Sequence, residues 1–228
     1  MSRITTDFER QRKQMVAGQI RSRGLCDTLV LAAMENVPRE AFVPEQYRFM
    51  AYDDGPLPIG EGQTISQPYM VAFMVEALAL KGGETVLEIG AGSGYAAAVL
   101  AEIAEEVYAV ERIGALAGLA ARNLAETGYD NVHVSHADGT RGLEAHAPYD
   151  AILVSAGAPD VPETLKGQLA AGGRIVLPVG SDRRSQSLVR ITKTASGEFE
   201  REVLADVRFV PLIGAEGWDE LSWPRTFW

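Results

Sequence analysis

Between residues 85 and 178, five short apolar segments alternate with segments of helical periodicity. Strands that alternate with helices in this way are typical of βαβ units, whose strands lie parallel in one sheet. The intervening segments 95–104, 113–127 and 161–170 have the composition and spacing of helices. The pattern predicts an α/β fold with strands at Thr85–Ile89, Glu106–Val110, Val132–His136, Ala151–Ser155 and Arg174–Pro178.

The segment before this alternation is predicted to be mainly helical. Asp27 is expected to cap a helix over 28–36, and Pro68 suits the first turn of a second helix that ends near Gly82. Between them, the segment 53–63 contains two prolines and three glycines. Because such residues interrupt regular structure, an irregular loop is expected there.

The C-terminal segment changes character again. Residues 187–194 and 203–212 are separated only by a turn around Ser196 and Gly197, so we predict an antiparallel pair. We expect one domain over residues 1–228. It would comprise an N-terminal helical and substrate-loop region (1–80), a Rossmann-like core (81–213) and an aromatic tail (214–228) whose Trp218, Trp223 and Trp228 pack on the domain surface.

Composition excludes several classes of function. With 21 basic and 31 acidic residues, the net charge of −10 disfavours a nucleic-acid partner. No apolar run approaches the roughly 20 residues that span a bilayer, and the charged N terminus lacks a secretory signal. The single cysteine, Cys26, fits a reducing compartment. We therefore expect a cytoplasmic monomer that binds neither membranes nor metals, since the three histidines (His133, His136, His146) form no metal-binding pattern.

A glycine-rich turn joins the first of the five strands to a helix. The segment 86–94 reads VLEIGAGSG, with an acidic residue at the strand end. Glycines there allow a tight turn and let a ligand lie against bare backbone at a helix N terminus. The spacing GxGxG is one residue short of the dinucleotide fingerprint, and a tight turn without a ligand remains the alternative. The candidate cofactor residues of this segment are Glu88, Gly90, Ala91, Gly92 and Gly94.

Two later strand ends also carry acidic residues. Glu111 follows the second strand and is expected to accept hydrogen bonds from ribose hydroxyls. Asp138 follows the third strand and is expected to accept from an adenine amine, with Gly139 leaving room for the ring. The alternatives are an ion pair between Glu111 and Arg112, and a turn capped by Asp138. Because three consecutive strand ends meet at one edge of the sheet, we predict a cofactor site there. It includes Glu111, Arg112, Asp138 and Gly139.

The loop before the sheet has a more specific pattern. Residues 57–70 read LPIGEGQTISQPYM, which closely resembles the signature of protein-L-isoaspartate O-methyltransferases. Further similar segments are RGLCD (23–27), VPREAFVP (37–44), VLEIG (86–90), YDAILVSA (149–156), GGRIVLPVG (172–180) and VRFVPL (207–212). The resemblance covers about residues 12–213. The glycine turn, with its acidic strand end, separately resembles motif I of the S-adenosylmethionine methyltransferases.

The resemblance implies a class I S-adenosylmethionine methyltransferase with a seven-stranded, mostly parallel sheet that ends in an antiparallel hairpin. It implies transfer of methyl from S-adenosylmethionine to the free α-carboxylate of L-isoaspartyl residues in damaged proteins. The ester then collapses to a succinimide, which hydrolyses partly to normal aspartate. Ser66 aligns with the family's active-site serine, and S-adenosylhomocysteine would be the second product.

Other residues are expected around the peptide substrate. Thr64, Ile65 and Gln67 would line the loop of Ser66, while Ser155, Ala156 and Gly157 would face the methyl-transfer centre. The alternatives for these residues are a helix cap at Ser66 and simple packing at a strand end.

Four other functions remain open at this stage. One is a methyltransferase whose acceptor is a different carboxylate, as in a ribosomally made peptide. Another is a methyltransferase whose acceptor is an RNA or a small metabolite. The glycine turn would serve a nicotinamide dehydrogenase, or the chain would be a noncatalytic binding module.

Overall fold

A computed structural model of the chain describes residues 3–182 and 185–219. The described helices are α1 (Arg3–Met15), α2 (Thr28–Asn36), α3 (Pro68–Leu78), α4 (Tyr95–Ala101), α5 (Gly114–Thr127) and α6 (Glu163–Gly167), with a π-helical turn and several 3-10 turns between them. The strands are β1 (Leu57–Gly60), β2 (Gln63–Ile65), β3 (Thr85–Ile89), β4 (Glu106–Glu111), β5 (Val132–His136), β6 (Tyr149–Val154), β7 (Leu169–Asp182), β8 (Ser185–Lys193) and β9 (Phe199–Val207).

Seven strands form the main sheet, in the order β5-β4-β3-β6-β7-β8-β9. Strands β3 to β7 are parallel, whereas β8 is antiparallel to both of its neighbours. The chain moves outward from β3 to β5 on one side and then returns to β6 on the other. This reversal opens a crevice at the carboxyl ends of β3 and β6, where ligands bind in sheets of this type. The predicted seven-stranded sheet with its C-terminal hairpin is confirmed.

Each face of the sheet is covered by its own hydrophobic core. On β3, Val86 packs with one core, whereas Leu87 and Ile89 pack with the other. This alternation follows from the two-residue period of a strand. The N-terminal helices and α3 to α5 cover the first face, and α6 covers the second. In the described part of the chain, no helix is long and apolar enough to span a bilayer.

The N-terminal predictions are partly confirmed. The carboxylate of Asp27 accepts hydrogen bonds from the N–H groups of Leu29 and Val30 and so caps α2. Helix α3 begins at Pro68 as predicted but ends at Leu78, before Gly82. The irregular loop expected over 53–63 was wrong, because β1 and β2 form a short antiparallel hairpin. Its prolines and glycines are compatible with a hairpin because the residues with positive φ, Gly60, Glu61 and Gly62, make its turn.

Three predicted elements have other bounds in the structure. The helix expected over 161–170 is limited to α6, because Leu169 already pairs with Tyr149 in the sheet. The helix expected over 95–104 ends at Ala101. The strand expected over 203–212 begins earlier, at Phe199, and ends at Val207. The next residues cross to Gly157 instead of pairing with β8.

Of the three tail tryptophans, only Trp218 lies within the described residues. Its backbone N–H donates to Leu212 and its indole Nε1–H donates to the carbonyl of Gly157, at 3.0 Å. Trp218 therefore packs against the domain, as predicted. Trp223 and Trp228 lie outside the described residues.

Candidate active site

A cavity of about 910 Å³ opens at the carboxyl ends of the central strands. Its size is in the range typical of small-molecule and cofactor sites. It is lined by the β1–β2 hairpin, the start of α3, the glycine turn and the residues at the ends of β3, β4 and β6. The predicted residues that line it are Thr64, Ile65, Ser66, Glu88, Gly90, Ala91, Gly92, Glu111, Arg112, Gly139, Ser155 and Ala156.

The glycine turn brings bare backbone to this cavity. Gly90, Gly92 and Gly94 have φ values of 88°, 56° and 90°, in the left-handed region that favours glycine. The N–H of Gly90 donates to the carbonyl of Val110 at 2.8 Å, which ties the turn to β4. Gly94 does not line the cavity but lies at the start of α4, where a Cβ atom would be 3.1 Å from the side chain of Leu124.

Glu111 is held rigidly at the edge of the cavity. Its Oε2 accepts a hydrogen bond from the N–H of Gly92 at 3.0 Å, and its Oε1 accepts one from Ile113 at 2.8 Å. The residue is only 7% exposed. The carboxylate therefore links the glycine turn to the end of β4, and its remaining lone pairs are available to a ligand in the cavity.

Glu88 also lines the cavity but has no hydrogen-bonding partner. The residue is 0% exposed, and no described group donates to either carboxylate oxygen. Burial, with a smaller contribution from the nearby Glu111, raises the pKa of Glu88 to about 8. At neutral pH this carboxyl group is therefore mostly protonated when the cavity contains no cation.

Asp138 does not line the main cavity. Its Oδ1 accepts from the N–H and the hydroxyl of Thr140, and its Oδ2 accepts from the N–H of Ala215 at 2.9 Å. Although burial alone would raise it, these hydrogen bonds hold the pKa of Asp138 below its ordinary value. The side chain lines a smaller adjoining pocket together with Arg112. Its contact with adenine remains a prediction.

Ser66 lies between β2 and α3 and lines the cavity. It precedes Gln67, the N-terminal cap residue of α3, so the partial positive charge of a helix start lies beside it. Gln67 itself does not line the cavity, since its side-chain amide donates to the carbonyl of Asp54. Of the residues predicted around the substrate, Gln67 and Gly157 do not line the cavity.

Residues 210–213, which no sequence pattern had indicated, form a further wall of the cavity. These residues leave β9 and cross to Gly157, whose N–H donates to Val210 at 2.7 Å and whose carbonyl accepts from Leu212 at 2.8 Å. The side chain of Gln186 holds the start of this segment, since it accepts from the N–H of Phe209 and donates to its carbonyl. Pro211 was the available signal, because proline is rare inside a paired strand.

No metal site is evident in the chain as described. Within residues 3–182 and 185–219, no group of three His, Cys, Asp or Glu side chains is arranged to hold an ion. Two of the histidines have other contacts: His133 pairs with Glu106, and His146 stacks on Tyr108 with 4.0 Å between ring centroids.

Comparison with known proteins finds close similarity along nearly the whole chain. The family model of protein-L-isoaspartate(D-aspartate) O-methyltransferases matches residues 10–217. Protein-L-isoaspartate O-methyltransferase 1 of Rhodopseudomonas palustris (strain HaA2) is 65% identical over 217 residues, which cover 95% of this chain and 89% of that protein.

Two solved structures have the same fold. One, named protein-L-isoaspartate O-methyltransferase, has a TM-score of 0.80 and 32% identity, and the match covers 90% of this chain and 67% of that one. A Plasmodium falciparum protein described as a protein-L-isoaspartate O-methyltransferase, in complex with S-adenosyl-L-homocysteine, has a TM-score of 0.78 and 28% identity. That match covers 89% of this chain and 98% of the other.

Proposed function

Since the chain belongs to the protein-L-isoaspartate(D-aspartate) O-methyltransferase family and methylates isoaspartyl residues with S-adenosylmethionine, we propose that Ser66 holds the substrate carboxylate. In this proposal the methyl donor lies against the glycine turn and Glu111. The observation that carries this proposal is that Ser66 and the glycine turn line the same cavity.

The residues of the cavity suit S-adenosylmethionine, which the family uses. The carboxylate of Glu111 serves the ribose hydroxyls, and Gly139, which lines the cavity without a side chain, lies beside the adenine. Glu88 supplies a buried carboxylate without a partner, which suits a cationic group of the donor. The P. falciparum relative was solved with S-adenosyl-L-homocysteine, the demethylated form of this donor.

The substrate needs no general base in this site. A carboxyl group with an ordinary pKa of about 3.9 is already ionised at neutral pH. The bound donor supplies an electrophilic methyl group on its sulfonium, so the protein's part is to align and desolvate the two reactants.

Ser66 suits the task of holding the acceptor. Its neutral hydroxyl, with the start of α3 behind it, binds the carboxylate without the strong ion pair that would reduce its nucleophilicity. Thr64 and Ile65 continue the same wall.

The opposite side of the acceptor is lined by small residues. Ser155 and Ala156 lie at the end of β6 and line the cavity. Their size lets a peptide backbone approach the methyl-transfer centre closely. We propose that this close approach, together with the wall at 210–213, is what admits the kinked isoaspartyl backbone.

Replacement of Ser66 tests the proposed role. Ser66→Ala should lower kcat/KM for an isoaspartyl peptide roughly 10- to 100-fold, the usual cost of losing a hydrogen bond to a charged group. The Kd for S-adenosylhomocysteine should change less than about twofold, because the hydroxyl serves the acceptor. Ser66→Thr, which keeps a hydroxyl, is the matched control and should retain more activity. Equal losses in turnover and in cofactor affinity would assign Ser66 to the cofactor or to folding.

Replacement of Glu111 tests its proposed contact with the cofactor. Glu111→Ala should weaken binding of S-adenosylhomocysteine by about 1 to 3 kcal/mol, since it removes a charged acceptor and the support of Gly92. Glu106 lies at the opposite end of β4, where its partner is His133, so Glu106→Ala is the matched control. Isothermal calorimetry on both variants gives the comparison. An unchanged Kd in Glu111→Ala would remove the ribose assignment.

A further inference from the structure

Arg39 is a fully buried cation behind the proposed substrate wall. It lies in the 3-10 turn Arg39–Phe42 and is 0% exposed. Its Nε–H donates to the carbonyl of Ala51 at 2.8 Å, and its Nη2 donates to the carbonyl of Ser66 at 2.8 Å. The guanidinium carbon also lies 4.7 Å from the ring centre of Tyr95.

This cation has no anionic partner in the part of the chain that the structure describes. No carboxylate pairs with the guanidinium there, and its Nη1 has no hydrogen-bonding partner. Burial lowers the pKa of Arg39, but an arginine keeps its proton in proteins. An unpaired charge in the interior costs several kcal/mol, so stability alone does not explain its presence.

Arg39 contacts two residues that line the cavity, Ser66 and Tyr95. Ser66 belongs to the wall assigned to the substrate. Tyr95 is the first residue of α4, directly after the glycine turn, and it also lines the cavity. Because a peptide group is planar and trans, the bond to the Ser66 carbonyl also directs the N–H of Gln67 away from the guanidinium. Arg39 thus fixes both the peptide plane at Ser66 and the position of that loop relative to α4.

We propose that Arg39 is a positioning residue that fixes Ser66 relative to the glycine turn. It also supplies the fixed positive charge that favours an anionic acceptor. This inference rests on the proposed role of Ser66. The guanidinium does not line the cavity. It therefore favours the carboxylate from behind a neutral hydroxyl and leaves the attacking oxygen free of a direct ion pair.

Three variants separate the charge from the hydrogen bonds. Arg39→Gln keeps a donor but removes the charge, whereas Arg39→Lys keeps the charge and loses the planar fork. Arg190→Gln is the matched control, because Arg190 donates to the carbonyl of Ala77 at the opposite end of α3. For each variant we would measure kcat and KM for an isoaspartyl peptide, the Kd for S-adenosylhomocysteine, and Tm.

We expect Arg39→Gln to raise the KM for the peptide roughly tenfold or more while the cofactor Kd stays within about twofold. Arg39→Lys should recover part of this loss, and Arg190→Gln should lower Tm without a selective effect on the peptide. The inference is overturned if Arg39→Gln leaves KM and kcat unchanged, or if KM and the cofactor Kd rise in the same proportion. It is also overturned if Arg39→Lys is no better than Arg39→Gln.

Ser66→Ala in the same assays distinguishes this inference from the proposed function. If Ser66→Ala leaves the peptide kinetics unchanged, the role of Ser66 fails, and that of Arg39 fails with it. If Ser66→Ala impairs them whereas Arg39→Gln has no effect, only the inference about Arg39 fails.

Discussion

S-adenosylmethionine should bind roughly 50-fold more weakly at pH 6 than at pH 8, and Glu88→Gln should abolish most of this difference. The carboxyl group of Glu88 lines the cavity and has a pKa raised to about 8. A cationic ligand beside it binds the ionised form. About 1% of the protein carries that form at pH 6 and about half at pH 8, which gives the expected ratio.

Proton uptake or release gives an independent readout of the same event. If the bound donor stabilises the ionised carboxylate, Glu88 loses its proton on binding at pH 6 to 8, and calorimetry in buffers of different ionisation enthalpy should detect the release. The wild-type protein should release close to one proton at pH 6, and Glu88→Gln none. A pH-independent Kd in the wild-type protein would exclude contact between Glu88 and a cationic group.

A comparison with S-adenosylhomocysteine shows which cationic group of the donor contacts Glu88. It keeps the ammonium group of the donor but lacks the sulfonium. The same pH dependence with both ligands would assign Glu88 to the ammonium group. A dependence seen only with S-adenosylmethionine would assign it to the sulfonium.

Glu88 also links the stability of the ligand-free protein to pH. Its pKa is about 8 in the folded protein and close to its ordinary 4.5 in the unfolded chain. The folded state therefore binds the extra proton, and the free energy of unfolding should fall as pH rises from about 4.5 to 8, by up to about 5 kcal/mol. Urea denaturation of the wild type and Glu88→Gln at pH 6 and pH 9 should detect about 3 kcal/mol of this change, because pH 6 lies about two units below the folded pKa. Equal pH dependence in both proteins would contradict it.

The parts of the site that could be predicted from sequence are those set by local chemistry. The left-handed conformation of the glycine turn requires glycine at Gly90, Gly92 and Gly94, so its pattern is readable without the fold. Glu88 and Glu111 follow from their places at strand ends. The protonation of Glu88 was not predictable, because it depends on complete burial without a donor.

The parts that were missed depend on contacts between distant segments. Arg39 stands next to Glu40 in the otherwise apolar segment VPREAFVP (37–44), and only packing against Tyr95 and Ser66 shows it to be buried. Residues 208–212 have the composition of a strand, yet they leave the sheet because Gly157 and Gln186 provide their hydrogen bonds. Tertiary partners of this kind override local β propensity.

Replacement of Gly157 should have a large effect on the wall formed by residues 210–213. A Cβ atom at Gly157 would lie 2.3 Å from Nε2 of Gln186, well inside contact distance. Gln186 is nearly fully buried and is bound to both backbone groups of Phe209, so it cannot move aside without releasing that residue. Gly157→Ala should therefore detach the start of the wall.

We expect Gly157→Ala to lower the free energy of unfolding by about 1 to 3 kcal/mol, the usual cost of an added methyl in a packed site. It should also weaken S-adenosylhomocysteine and the isoaspartyl peptide together, each by roughly tenfold or more, because the wall borders both reactants. Gly167 is the matched control, since a Cβ at that position meets no atom within 4 Å. Denaturation, calorimetry and peptide kinetics give the three measurements.

A double variant separates crowding from the loss of the wall. Gly157→Ala combined with Gln186→Ala removes the clash, so part of the lost stability should return. The affinities should not return, because Phe209 still lacks both of its hydrogen bonds from Gln186. Recovery of cofactor and peptide binding in the double variant would mean that the wall is held in place by the bonds of Gly157 to Val210 and Leu212 alone.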